Sequence, residues 1–330
     1  LGIMTLVPEK SRDPTRRFAI VGFAFLAVGI AALQLVFDRG QGQGWFDSPE
    51  IVGEAAVAFV ALWFSAVHSF TSKHPFVPIS IFRDVNFATS SGLGVMVGVV
   101  ILSVSALLPL MMQTVFGFTV LHTGLLSAPR GVGSIISMLV VGRLIGRVDT
   151  RYLLLFGQCV FAISFFHLST FRLDTSSTEI AINGVIQGLG TGFVFLPLTT
   201  LAFSTLSAEV RPDATSFYTL MRNLGGSAGI SLMLAMLVNY AAGSRTALVA
   251  PYSLDNTNVQ PSTLPFSLTD PNGLVVLSSE IDHQAQMLAY TQVYHLMFLV
   301  TICAMPFIFL LRPPKRGPVA SGATLAASEH

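Results

Sequence analysis

Long apolar stretches separated by short polar breaks fill almost the whole chain. Eight of them read as spans, at about residues 18–37, 51–70, 86–113, 122–145, 152–170, 179–204, 214–240 and 287–311. Each runs to about 20 residues or more, the length a helix rising about 1.5 Å per residue needs to cross a hydrocarbon core of about 30 Å. Barrel strands would be about 10 residues long with strict alternation, and the stretches show no such pattern. Lipid offers no partner to a bare N–H or C=O, so each stretch must close its hydrogen bonds within itself. The expected fold class is an all-α membrane protein of about eight spans.

The breaks order the rest of the chain. Residues 1–17 form a charged leading segment, and 72–85 a connection whose "HPFVPISIFRD" (74–84) suggests a short interfacial helix. Residues 241–286 make the longest loop, rich in Ser, Thr, Asn and Pro, which reads as a linker more than as a lid. The tail, 312–330, has too little apolar content to fold and is expected to be disordered. The chain opens at Leu1, and "LGIMTLVPEK" reads like the end of an apolar element entering a charged loop. Residues are therefore expected upstream, although a processed start would look similar.

Composition supports lipid as the main solvent. The chain is 52% hydrophobic and 11% charged, with a mean hydropathy of +0.69, against about 25% charged residues in soluble domains. A net charge of +1 and the lack of any Lys/Arg run argue against nucleic acid as a partner. Lys10, Arg12, Arg16, Arg17, Lys73, Arg83, Arg143, Arg147, Arg151, Arg211, Arg312, Lys315 and Arg316 fall on one side of the bilayer, and Arg39, Arg172 and Arg245 on the other. The basic side is expected to be cytoplasmic, with both ends of the chain there. Cys159 and Cys303 lie inside spans with no CxxC or Cys/His cluster, so they read as small buried hydrophobes; neither disulfide nor metal site is expected.

Within the spans, Gly94/Gly98, Gly184/Gly188/Gly192 and Gly225/Gly229 keep the four-residue spacing that lets two helix backbones approach closely. Such seams either pack or slide during a conformational change. Pro109, Pro129 and Pro197 bend three spans. Arg130 and Arg222 lie too deep to reach an interface comfortably, and a charge there should face a cavity or a partner. The last six spans hold no deep Asp or Glu; Gln113, Gln187 and Asn223 are the polar groups available beside the arginines. "GRLIGRVDTR" places Arg143, Arg147, Arg151 and Asp149 at a basic turn, a candidate latch between helix ends. "GGSAG" (225–229) fits GxSxG, but the nucleophile elbow needs a preceding strand. The His residues that could serve Ser227, His167 and His295, are expected near outer span ends. An enzyme is not expected.

Four segments together resemble the major facilitator superfamily, and more closely the EmrB/QacA-type fourteen-span drug:proton antiporters. They are "LQLVFDRGQGQGWFDS" (33–48), residues 107–151, "IQGLGTGFVFLPLTTLAFSTL" (186–206) and "SFYTLMRNLGGSAG" (216–229). The resemblance implies that residues 18–71 are a linker pair of helices and 86–311 a C-terminal six-helix bundle, with the N-terminal six-helix bundle not supplied. Gly142 and Arg147 match the superfamily's cytoplasmic signature GxxxDRxGR, whereas Gly146, Asp149 and Thr150 depart from it.

The implied function is multidrug efflux by proton-coupled antiport through alternating access, in a bacterial inner membrane, with no cofactor and the proton gradient as energy source. The implied substrate is an amphipathic or cationic small molecule. Gln113, Arg130, Gln187, Arg222 and Asn223 are the candidate pathway or gating residues, and Met111, Met112 and Met221 candidate apolar lining. A truncated non-transporting remnant or an oligomerising half-transporter stays open, as do accessory proteins that span the envelope.

Overall fold

The computed structural model describes residues 20–72, 79–207, 209–250 and 271–312. The leading segment 1–17, residues 74–78 of the expected interfacial helix and the tail beyond Arg312 lie outside the described residues. Eight helices are long and apolar enough to cross a membrane. They are α1 (Ile20–Gly40), α2 (Pro49–Thr71), α3 (Val85–Thr114), α4 (Val120–Leu144), α5 (Thr150–Ser169), α6 (Ser177–Phe203), α7 (Arg211–Val249) and α8 (Pro271–Ala304). No β-strand occurs among the described residues.

Helix starts are set by short polar side chains that satisfy otherwise unpaired N–H groups. Asp84 accepts from Phe87 N at the start of α3, Thr119 from His122 N at α4, Asp149 from Arg151 N at α5 and Ser176 from Glu179 N at α6. The α1–α2 hairpin turns through Gly44, whose φ of +75° suits a residue without Cβ, and Trp45 Nε1 donates to Gln41 Oε1 at 3.1 Å to close it. Near that turn Arg39 Nη1 pairs with Glu50 at 2.6 Å and with Glu54 at 2.9 Å.

Helices α3 to α8 gather into one bundle. α3 and α6 lie centrally, α4 packs on α6, α7 packs on α3, and α5 and α8 close the other side. Most glycines of the expected seams, Gly184 excepted, lie in close contact with a neighbouring helix. A Cβ on Gly188 would meet the Arg130 carbonyl, one on Gly192 the Ser137 hydroxyl, and one on Gly133 the Val185 carbonyl, so α4 and α6 touch backbone to backbone. Gly98, Gly225 and Gly229 do the same for α3 and α7. In lipid, where apolar surface has no drive to leave its solvent, such close van der Waals contact is what holds helices together.

The basic end is tied by polar bonds. Asn86, 1% exposed, donates to the Arg312 carbonyl at 2.9 Å and accepts from its N–H at 2.7 Å, joining the start of α3 to the residues just after the 3₁₀ turn Met305–Leu310. Thr205 Oγ1 donates to Asp84 Oδ1 at 2.8 Å, joining the end of α6 to the start of α3.

Several expectations change. The loop expected over 241–286 is helical at both ends: α7 continues to Val249 and α8 begins at Pro271. At 39 residues, α7 is about 58 Å long, roughly twice a hydrocarbon core, so α7 and α8 continue past the membrane as a helical pair. Arg245 of α7 bridges to Asp282 of α8 at 2.5 Å there. Polar composition suggested a linker, but two neighbouring helices can satisfy polar side chains as well as water does. The two cysteines are exposed on the helix surfaces and not buried. Residues Ile79–Arg83 form a 3₁₀ turn before α3.

Candidate functional site

α4 and α7 flank the two central helices, and each sends an arginine inward. Arg130 of α4 reaches α3, where its Nη1 donates to Ser105 Oγ at 2.9 Å. The Ser105 hydroxyl in turn donates to the Ile101 carbonyl at 2.5 Å, so its oxygen is held toward the guanidinium. Pro109 has no N–H for the carbonyl of residue 105, four positions earlier, so α3 bends at the level where Arg130 arrives. Arg222 of α7 reaches α6, where its guanidinium carbon sits 4.6 Å from the Phe195 ring centroid. Cation–π contact of this kind stabilises a desolvated cation without neutralising it.

α5 and α8 occupy the far side of α3 and α6, so the two arginines share one face of the bundle. Ser105, Leu102, Leu110 and Gln113 of α3 and Asn223 of α7 are exposed there, and Arg130, Phe195, Met221 and Arg222 are half-buried. Gln113 folds back to donate to the Pro109 carbonyl at 3.3 Å. Near the proline of α6, Thr199 donates to the Phe195 carbonyl and Thr200 to the Leu196 carbonyl, while Pro197 deprives the Phe193 carbonyl of its helical donor.

Not every expected residue joins this face. Gln187 is 0% exposed and its two amide atoms have no hydrogen-bond partner among the described residues. It lies one turn from Asn183, which accepts from Ser164 Oγ of α5 at 3.1 Å. The face of α6 that carries these amides is therefore turned to α5, away from the arginines. Met111 and Met112 are likewise fully buried in the core and line no open surface.

Among the described residues the basic turn bonds to its own flanking helices. Gly146 takes φ +89° to let the chain reverse, Asp149 caps α5, Arg143 donates to the Leu139 carbonyl at 3.4 Å, and the Nε of Arg151 is buried without a partner. Gly142 faces open space, and Arg147 is exposed. No carboxylate pairs with Arg143, Arg147 or Arg151 there.

Asp38 is a carboxylate near the end of α1, two residues before its last residue, Gly40. The first span was expected to end at residue 37, whereas α1 runs to Gly40 and carries Asp38 against α7. Ser227 Oγ donates to Asp38 Oδ1 at 3.2 Å, Gln34 donates to the same carboxylate at 3.3 Å, and Ser231 Oγ bonds the Phe37 carbonyl. The spacing of Gln34 and Asp38, one helical turn apart, is the signal that could have placed both on one face. Ser227 is thus bonded to a carboxylate and to no histidine, while His167 sits beside Asn183 at 3.4 Å. No group of three or more His, Cys, Asp or Glu side chains gathers as a metal site among the described residues.

Comparison with known proteins agrees with this architecture. Residues 14–230 match the Major Facilitator Superfamily. The Multidrug export protein EmrB of Haemophilus influenzae is 30% identical over 298 residues, covering 89% of this chain and 58% of that protein. The Fatty acid resistance protein FarB of Neisseria gonorrhoeae is 29% identical over 302 residues, covering 89% of this chain and 59% of that protein. The chain thus spans about three fifths of the length of these curated relatives. Among solved structures, a bacterial homolog to the human lysosomal transporter Spinster, in an inward-facing and occupied conformation, aligns with a TM-score of 0.52 at 15% identity. It covers 88% of this chain and 66% of that one, and shows the fold alone. With the family's pattern running through more than half of its length and the family's fold recovered in its helices, the chain belongs to the major facilitator superfamily and is an integral membrane protein.

Proposed function

We propose that this chain forms the C-terminal part of a small-molecule efflux permease and contributes the arginine-bearing face to a central site. The observation that carries this is the convergence of Arg130 and Arg222, from different helices, on one face of the bundle. A charge within a span costs a few kcal/mol and is kept where it serves a water-filled path or a partner. α4 packs mainly on α6 and leaves Leu125, Val132, Ile135 and Leu139 exposed, as a helix does when a further bundle or lipid covers it. The glycine seams place rigid helix pairs in close contact, suited to a carrier that rocks about a midplane site.

The substrate is an amphipathic compound, in keeping with relatives named for multidrug export and for fatty acid resistance. The energy source is the proton gradient, with no cofactor. By the positive-inside rule the basic end, with both ends of the chain, faces the cytoplasm of a bacterial inner membrane.

The test is to co-express the chain with the N-terminal six spans of the Haemophilus relative and follow loss of a fluorescent amphipathic dye from cells. Efflux that collapses on adding a protonophore is expected. Efflux no greater than that of cells with the N-terminal spans alone, or indifferent to the protonophore, would overturn the proposal.

A second reading, a self-associating half-transporter, draws on the same exposed surface of α4. Its mass in detergent separates the two, since only the second requires a dimer of this chain by itself.

A further inference from the structure

We infer that a groove on the outward side of α8, at the end of the bundle opposite the basic one, holds a phospholipid. Tyr240 and Gln292 bond its phosphodiester, and one acyl chain lies along Leu296 and Leu299. The groove has a volume of about 450 Å³ and is formed by α8 with its neighbours α5 and α7. Gln292, His295 and Leu299 are exposed on this side of α8, whereas Val293, Tyr294 and Met297 are buried behind it. α8 lies on the far side of the bundle from the two arginines, so the groove is independent of what the central site carries.

The first ground is depth. α5 is 20 residues long, about 30 Å from its start at the basic end, and Ser169, its last residue, forms one edge of the groove. Gln292 stands twelve residues before Ala304, the end of α8, which is about 18 Å, and the six residues of Met305–Leu310 add about 12 Å. Two helices thus place the polar lip of the groove at one height, roughly a hydrocarbon core of 30 Å above the basic end. A membrane changes there from chains to head groups, and tyrosines such as Tyr240 are enriched at that level.

The second ground is the order of polarity. Leu296 and Leu299 lie about 6 and 10 Å deeper than Gln292 along α8. The groove is therefore polar at its lip and apolar below, as a lipid is from head to tail. Its wall is built: Phe166 of α5 meets Phe298 of α8 with ring centroids 5.6 Å apart, and the His295 ring lies 5.8 Å from Phe298.

The third ground is a set of unspent donors. The Tyr240 hydroxyl and the Gln292 amide make no hydrogen bond among the described residues. No Asp, Glu, Lys or Arg lines the groove, and Arg245, five residues beyond Tyr240, is bridged to Asp282. Donors without an acid suit charged acceptor oxygens, to which hydrogen bonds are about twice as strong as to neutral ones. With no carboxylate to hold an ammonium, the lining recognises the phosphodiester and leaves the rest of the head group in water.

The experiment uses the chain stripped of lipid in maltoside detergent and counts bound lipids by native mass spectrometry. The probes are dioleoyl phosphatidylcholine, dioleoylglycerol, which lacks the phosphate, and glycerophosphocholine, which lacks the chains. One copy of phosphatidylcholine is expected to bind at least about fivefold more tightly than dioleoylglycerol, the effect of one hydrogen bond to a charged group. Millimolar glycerophosphocholine should not displace it. The double variant Tyr240→Phe/Gln292→Leu should lose the preference for the phospholipid, and Leu296→Trp, which fills the apolar part, should lower the count by one. The two variants alter opposite ends of the groove, so a folding defect in one, read by thermal unfolding in detergent, leaves the other to decide.

Dioleoylglycerol binding as tightly as the phospholipid would reduce the site to an apolar groove and overturn the inference. So would displacement by glycerophosphocholine, which would mark a site for soluble phosphodiesters, or a phospholipid copy retained equally by the folded variants.

Discussion

Gly98 of α3 sits so close to the backbone carbonyl of Arg222 on α7 that a methyl group there would overlap the oxygen. The side chain of Arg222 is therefore launched from a helix pressed against α3, and its reach to Phe195 depends on that distance of approach. Gly98→Ala should push α7 outward and cost about 1–3 kcal/mol by overpacking. Gly92→Ala, on the same helix but facing open space, should gain a little from better helix propensity, by up to about 1 kcal/mol. Thermal unfolding in detergent compares the two; equal effects would show that the seam is not tight.

Asp38 and Ser227 join the linker hairpin to the bundle. Ser227→Ala removes the hydroxyl that donates to the carboxylate at 3.2 Å. Interhelical bonds of this type are worth about 0.6 kcal/mol in membranes, at most about 1.7, so the protein should stay folded while the hairpin loosens. Spin labels on exposed positions of α1 and α7 should report a broader distance distribution in Ser227→Ala, and broader still with Ser231→Ala added. Unchanged distributions would mean that packing alone seats the hairpin.

Gln187 presents the opposite case, a fully buried amide with neither atom bonded among the described residues. An unpaired buried polar group costs about 1–3 kcal/mol. Gln187→Met keeps the side chain's length and removes that cost, so the melting temperature should rise. A fall would show that the amide is satisfied by an internal water, which buried polar groups often recruit, and that the water is part of the fold.

Much of the architecture was legible in the order of apolar and polar residues. Each span was long enough to cross and rich enough to favour a helix, and the glycine spacings named seams where backbones meet, Gly188 with Arg130 and Gly98 with Arg222. The two arginines were also visible as misfits, because a cation in an apolar run is conspicuous whatever surrounds it. The end of α1 was less so: hydropathy fell at residue 37, but the helix continued three residues further and carried Asp38 with it. Hydropathy reports where apolar surface stops, whereas a helix stops where its hydrogen bonds stop.

Which way each polar residue points was decided only in three dimensions. Gln113 and Gln187 are the same residue type, yet one opens onto the arginine face and the other is fully buried on the side of α6 that carries Asn183. The difference lies in which helix packs beside each, and helix neighbours are chosen by long-range contact that no local pattern encodes. The length, number and membrane affinity of the helices follow from local chemistry, since each helix satisfies its own backbone. The shared face of Arg130 and Arg222, and the grip of Ser227 on Asp38, follow from how those helices settle against one another, because a charge or hydroxyl acquires its role from the neighbour that packing brings to it.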